Sequence, residues 1–230
     1  MPQADIGLPG GGSDYAAFTS IAGVPSIGFG FSADSGVYHS AYDTIDFMER
    51  IGDPGYRQHQ STAALATWLL WRLGNDRTVA FDYRRLAQDV VTGLSAVRRE
   101  LKDPGLDNGV PGLSRAWSAA GNLAVAAGKL HAQLGSADAM KANPAALRVA
   151  NQHMYRAHRQ LTQAPCADSW SRSILIAPDP QDTYQSLFMP GVVSALRRAD
   201  IGATVVGLTD LAAALERVAV ELTAAAPGTS

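Results

Sequence analysis

From Thr78 onward, apolar residues recur at helical spacing, and that rhythm restricts this part of the chain to helices packed on helices. Leu208, Leu211, Leu215, Val218 and Leu222 step by alternating threes and fours. That spacing suits a left-handed bundle. Upstream, Phe81, Leu86, Val90, Leu94, Val97 and Leu101 form one face of a long helix that closes at Asp103-Pro104-Gly105. Leu113, Trp117, Ala120, Ala124, Ala127, Leu130 and Leu134 mark a second helix. Asn143-Pro144 caps a third, which carries Leu147, Ala150, Met154, His158 and Leu161. Alanine is abundant here and favours helix. A long excursion separates the third helix from the fourth. It runs from Pro165 to Asp182, includes the short apolar run Ile174-Leu175-Ile176-Ala177, and leads into a short helix from Pro190 to Ala199. Such an insertion in a compact bundle serves function or reaches another domain. The tail from Ala224 is expected to fray.

The first 75 residues have a different character. Asp14 to Ile21 reads as a short helix, with Ser13 or Asp14 as cap and Gly23 at its end. Val24 to Phe31 alternates apolar with small residues, which predicts a buried strand. Asp53-Pro54-Gly55 starts a helix from about Pro54 to Leu73 that stops at Gly74-Asn75. Its second half is apolar nearly all round, so it is expected to pack on both sides, with Trp68 and Trp71 in the core together with Trp117. One strand and two helices cannot make a sheet, so the expected sheet partners lie elsewhere. The fold class is therefore an α/β fragment followed by an all-α bundle, mostly helical overall. The domain boundary is expected between residues 76 and 77.

Composition removes several function classes. With 47% hydrophobic and 17% charged residues, the 230-residue chain can bury a core and is not a disordered segment. Its net charge of −2 shows no basic bias, so nucleic acid is not an expected partner. No apolar run reaches the ~20 residues a bilayer span needs, and the residues after Met1 show no signal-peptide pattern. Cys166 has no second cysteine to pair with and reads as a loop or core thiol.

The loop 36–44, Gly-Val-Tyr-His-Ser-Ala-Tyr-Asp-Thr, sets a phenol beside an imidazole at Tyr38-His39. It follows the expected strand, a common place for chemistry in α/β sheets. His39 can be a zinc ligand or an ordinary loop histidine, because a catalytic zinc needs about three protein ligands and no spaced partners stand near it. Gly10-Gly11-Gly12 has no following Lys-Ser/Thr and is not a nucleotide loop. Ser13 lacks the strand-elbow context and the base of a nucleophile. His153 and His158 are five apart, which does not suit a shared zinc on one helix face, and read as surface or bundle residues. His59 and His131 read as surface or helix-packing residues, and Tyr184 as a loop tyrosine.

Together, Gly10 to Phe18 (Gly-Gly-Gly-Ser-Asp-Tyr-x-x-Phe), Ile21 to Ser26, Gly36 to Asp43 and Gly52 to His59 resemble the glutamate carboxypeptidase II family of zinc peptidases, relatives of the transferrin receptor. The helical remainder resembles that family's dimerisation domain. The resemblance implies a site with two zinc ions, an aspartate bridge and a glutamate base. It makes His39 a zinc ligand and Tyr38 a tyrosine that stabilises the tetrahedral intermediate. It makes Gly12 and Ser13 a substrate-contacting pair, where the family often has Asn at the Ser13 position. It makes Tyr184 a binder of a substrate carboxylate, and it implies a homodimer acting on peptides. Thr183 stands where glutamate-specific members carry lysine, which separates this chain from that specificity. The family's other zinc ligands and its base precede the Gly-Gly-Gly-Ser-Asp motif. The chain is thus expected to be the C-terminal third of a longer enzyme, whether as a truncated product, a split reading frame or an isolated domain. The alternative is a non-catalytic, receptor-like dimerisation module.

Overall fold

The computed structural model describes residues 7–9, 11–31, 36–101, 110–135, 143–162 and 171–226, without the side chain of Thr183. Gly10, the expected helix stop at 103–105, Cys166 and the last four residues lie outside the described residues. Two compact units divide the chain: Met1–Ser26 with Phe81–Ser230, and Ile27–Ala80.

The first unit is a helical bundle. Helix α4 spans Tyr83–Glu100, α5 Leu113–Leu134, α6 Pro144–Gln160, α7 Pro190–Arg197 and α8 Ile201–Ala225. Their starts follow the sequence. Asp82 accepts hydrogen bonds from the Arg84 and Arg85 amides, Asn143 from the Ala145 amide, and Asp200 from the Ala203 amide. Helix α8 is the centre: α5, α6 and α7 all pack on it. Its Leu208, Leu211, Leu215, Val218 and Leu222 are fully buried, each contributing on the order of 1.5–3 kcal/mol of burial. In α5 the buried stripe includes Ala116, Ala119 and Leu123, whereas Ala124, expected inward, is exposed. At the bundle surface Arg115 clamps Glu216 with two bonds of 2.9 and 2.7 Å. His153 meets Glu221 at 2.7 Å, joining α6 to α8.

The excursion before α7 folds into a hairpin. Strand β1 (Ile176–Asp179) runs antiparallel to β2 (Asp182–Phe188), pairing Ile176 with Phe188 and Pro178 with Ser186. Tyr184 thus sits on a strand rather than in a loop. The N-terminal segment also belongs to this unit. It contains α1 (Tyr15–Ala17), which continues as a π-helical turn to Ala22 and ends at Gly23 with φ +65°. Gly23 as helix end agrees with the sequence expectation.

The second unit holds α2 (Ile45–Phe47), a following π-helical turn to Gly52, and α3 (Arg57–Asn75). Two expectations are corrected here. Val24 to Phe31 forms no strand, and Val24, Ile27, Phe29 and Phe31 are exposed. No strand among the described residues pairs with it, and the Val24 amide donates instead to the Phe18 carbonyl at 2.9 Å, closing the preceding π-helical turn. Nor does α3 pack on both sides. None of its residues is buried, and Leu65, Leu70, Trp68 and Trp71 are exposed, the last at 65%. The two tryptophans are therefore not core residues, while Trp117 is half-buried. An apolar surface of this extent on a helix marks an interaction site.

Candidate functional site

Residues far apart in sequence meet where the N-terminal segment crosses the hairpin. The Gly11 amide donates to the Tyr184 carbonyl at 3.3 Å, and the Ser186 hydroxyl donates to the Pro9 carbonyl. The Tyr184 ring lies directly on Gly12: a Cβ at that position would stand 2.6 Å from Tyr184 Cδ1. Only glycine allows this approach without a shift. Ser13, next in the chain, is exposed, and Tyr184 is about half exposed. Three of the sequence-predicted site residues, Gly12, Ser13 and Tyr184, are therefore close together in one unit.

The hairpin that presents Tyr184 is held at its turn. The Asp182 carboxylate accepts from the Tyr184 amide at 3.1 Å. The Asp179 carboxylate accepts from the Gln181 amide at 3.0 Å and from Arg197 of α7 at 2.7 Å. The Gln181 amide, then the Arg197 guanidinium, hold the Asp179 carboxyl below the usual carboxylate range. This pairing gave no signal in the sequence, because it joins a turn to a helix through a tertiary contact.

Tyr38 and His39 belong to the other unit. Their turn is closed by Ser40, whose amide and hydroxyl both donate to the Val37 carbonyl, at 3.0 and 2.7 Å. His39 has φ +58°, and its ring stacks on Tyr38 with centroids 3.8 Å apart and planes at 21°. Left-handed backbone at His39 departs from the strand geometry in which neighbouring side chains point to opposite faces. Both rings are exposed.

A further pair in this unit was read only in part from the sequence. Asp53 is buried and accepts from the Gln58 and His59 amides, at 3.1 and 3.0 Å, so its carboxylate serves the first turn of α3, although that helix begins at Arg57 after Tyr56 and not at the expected Pro54. It also takes a 2.6 Å bond from Nδ1 of His59. The His59 ring, then the amides of His59 and Gln58, hold the Asp53 carboxyl down at about 2 despite burial. His59 had read as a surface or helix-packing residue; its role is to complete this set of bonds to Asp53.

Among the described residues, no three of His, Cys, Asp and Glu gather as a metal site would require. The described residues do not by themselves fit the two-zinc centre that the resemblance implies. No helix among them is long and apolar enough to cross a membrane.

No family model matches the chain. It is 28% identical over 194 residues to a probable glutamate carboxypeptidase of Arabidopsis thaliana, LAMP1, a match covering 84% of this chain and 27% of that protein. A probable glutamate carboxypeptidase of Zea mays, VP8, is 30% identical over 195 residues, covering 81% of this chain and 26% of the relative. The mouse aminopeptidase NAALADL1 is 31% identical over 104 residues, covering 42% of this chain and 14% of the relative. The chain spans about a quarter of the length of the two plant relatives. Its motifs and these similarities make it a member of the glutamate carboxypeptidase and transferrin receptor-like family, a peptidase family.

Proposed function

We propose that the chain serves as the C-terminal part of a carboxypeptidase-type metallopeptidase with two zinc ions. His39 would supply one zinc ligand, and Tyr38 a phenol for the developing oxyanion. Gly12, Ser13 and Tyr184 would form part of the substrate pocket, and the helical bundle would make a homodimer. The remaining ligands and the general base would come from the longer protein of which the chain matches a quarter. The observation that carries this reading is the seat of Tyr184 on Gly12. Two motifs with pocket roles in the resemblance are adjacent in space although nearly the whole bundle separates them in sequence. Tyr184 presents a half-exposed phenol there, suited to a substrate carboxylate. The exposed faces of α3 and of residues 24–31 would pack against the sheet of the same longer protein.

Thr183 stands where the resemblance puts the lysine of glutamate-specific members, so a substrate ending in glutamate is not the expected one. The test is a chimera in which this chain replaces the matching quarter of the maize relative. The chimera should hold zinc and hydrolyse peptides, and His39→Ala should lower both. A folded, dimeric chimera with neither property would instead support the non-catalytic module. That reading has one observation in its favour, the lack of co-ligands around His39 among the described residues.

A further inference from the structure

Tyr184 is placed by an irregularity in its strand. Between Pro178 and Asp179 of β1 the pairing jumps from Ser186 to Asp182, so residues 183–185 bulge out of the ladder. A bulge re-aims the side chains it carries. Tyr184 and Gln185 are exposed, so burial in the core does not hold them. The turn that closes the bulge is under electrostatic load. Asp179 and Asp182 stand opposite each other in register, and like charges across a pair repel. Asp179 is also buried, where a carboxylate needs partners. Besides the Gln181 amide it has Arg197, in the last turn of α7, with Nη1 2.7 Å from Oδ2. That helix is a firm base. Its Val192 and Ala195 are buried, and α8 packs on it so closely that a Cβ on Gly207 would stand 3.0 Å from the carbonyl carbon of Gly191.

We propose that Asp179 and Arg197 are positioning residues for Tyr184: their ion pair ties the hairpin tip to α7 and so keeps the bulge in the shape that lays the Tyr184 ring on Gly12. The Asp182 carboxylate holds the Tyr184 amide, so Tyr184 follows the tip. Without the guanidinium, a buried carboxylate facing a second carboxylate would draw in water and open the tip. The bond runs through one guanidinium nitrogen, so the charge at that place matters more than a fork of donors. A lysine ammonium, a point charge, can therefore stand in for it.

The consequence for catalysis rests on the peptidase reading: a Tyr184 phenol held in place grips a substrate carboxylate, and a phenol on a loosened bulge binds it more weakly without affecting the bond being cut. The placing of the ring on Gly12 does not rest on that reading.

The test begins with NMR on the full chain. The Gly12 α-protons lie against the Tyr184 ring, and ring current moves their signals away from ordinary glycine positions. Arg197→Met should return them most of the way, with the Leu215 amide in α8 unchanged, and Arg197→Lys should keep them displaced. If Arg197→Met does not fold, Asp179→Asn decides. It keeps an acceptor for the Gln181 amide and removes the charge that holds Arg197, so the Gly12 signals should move in the same direction. Signals unmoved in the variant that folds, or moved as far by Arg197→Lys, would overturn the positioning. In the chimera, Arg197→Met should raise KM several-fold for an N-acetyl dipeptide with a free C-terminal carboxylate and leave kcat little changed. Inhibition by the same dipeptide amidated at its C-terminus should stay as it was. A fall in kcat with KM unchanged would overturn the substrate role. A chimera inactive before any substitution would remove the peptidase reading and leave the Gly12 signals to decide the positioning.

Discussion

Tyr184 lays its ring on the backbone of Gly12, so any side chain at position 12 must displace it. Gly12→Val should therefore cost about 1–3 kcal/mol, the range for overpacking a closed contact. Combining it with Tyr184→Ala should relieve much of that cost. The check is a double-mutant cycle by chemical denaturation; additive costs would show that the two residues do not share one space.

Asp53 offers a test by pH. Its carboxyl is held at about 2 in the folded chain, below the ordinary value near 4. A depressed carboxylate contributes stability that is complete above the unfolded pKa and is lost as pH falls through the folded one. The α3 end of the second unit should therefore stay intact down to about pH 4 and fray progressively toward about pH 2. Asp53→Asn should remove this acid step and lower helicity at neutral pH, as followed by circular dichroism. An unchanged acid profile in Asp53→Asn would assign the step to other groups.

The core of the bundle should dominate over its surface pairs. Leu215 is fully buried in α8, and Leu215→Ala should cost about 2–5 kcal/mol through lost burial and the cavity left behind. Its neighbour Glu216 pairs with Arg115 across exposed surface. Water and salt screen such pairs, so Glu216→Gln should barely move the melting temperature. Calorimetry on the two variants gives the comparison; equal losses would contradict the packing described.

Trp68 and Trp71 stand on the exposed side of α3, with the Arg72 guanidinium 6.0 Å from the Trp68 ring centroid. In the isolated chain both should be readily quenched by acrylamide. Trp68→Glu with Leu70→Lys should raise solubility without lowering the melting temperature, because neither side chain stabilises the chain on its own. In the chimera proposed above, the same changes should destabilise the protein, since α3 would there be covered.

The homodimer can be tested at the outer face of α5 and α8, where Val125 and Val220 are exposed beside Lys129 and Glu216 along one groove. Sedimentation should find a dimer at micromolar concentration, with Val125→Lys and Val220→Lys shifting it toward monomer. A wild-type monomer under those conditions would end the proposal.

The bundle was the most legible part of the fold. Leu208 to Leu222 could be read as a buried seam because five large residues at one spacing leave little choice of face, and all five are buried. The face of α5 was harder: alanines look alike on every side, and Leu123 rather than Ala124 turned out to be inside. The cap at Asn143 was visible because capping is local chemistry, whereas the helix signalled by Asp53-Pro54-Gly55 begins only at Arg57, after Gly55 and Tyr56 take up left-handed backbone. The hairpin was not visible, since Ile174 to Ala177 is too short a run to reveal a partner and the turn at Asp179-Pro180-Gln181-Asp182 has no glycine. Residues 24–31 were read as a buried strand whose sheet partners lie elsewhere, and α3 as packed on both sides; among the described residues both are exposed, because nothing in the chain covers their apolar side chains. At the candidate site, Gly12, Ser13 and Tyr184 could be named from motifs, whereas the seat of Tyr184 on Gly12 depends on two distant segments meeting and leaves no trace in either of them.

Helix α8 contacts α5, α6 and α7, yet it is the last of the four to leave the ribosome. Until it emerges, the inward faces of the earlier helices have no common surface to close on. The nascent bundle must therefore wait as loosely associated, sticky hairpins, and it gains its cooperativity in one late step. Slow synthesis across residues 201–225 would prolong that vulnerable interval more than a pause anywhere earlier in the bundle.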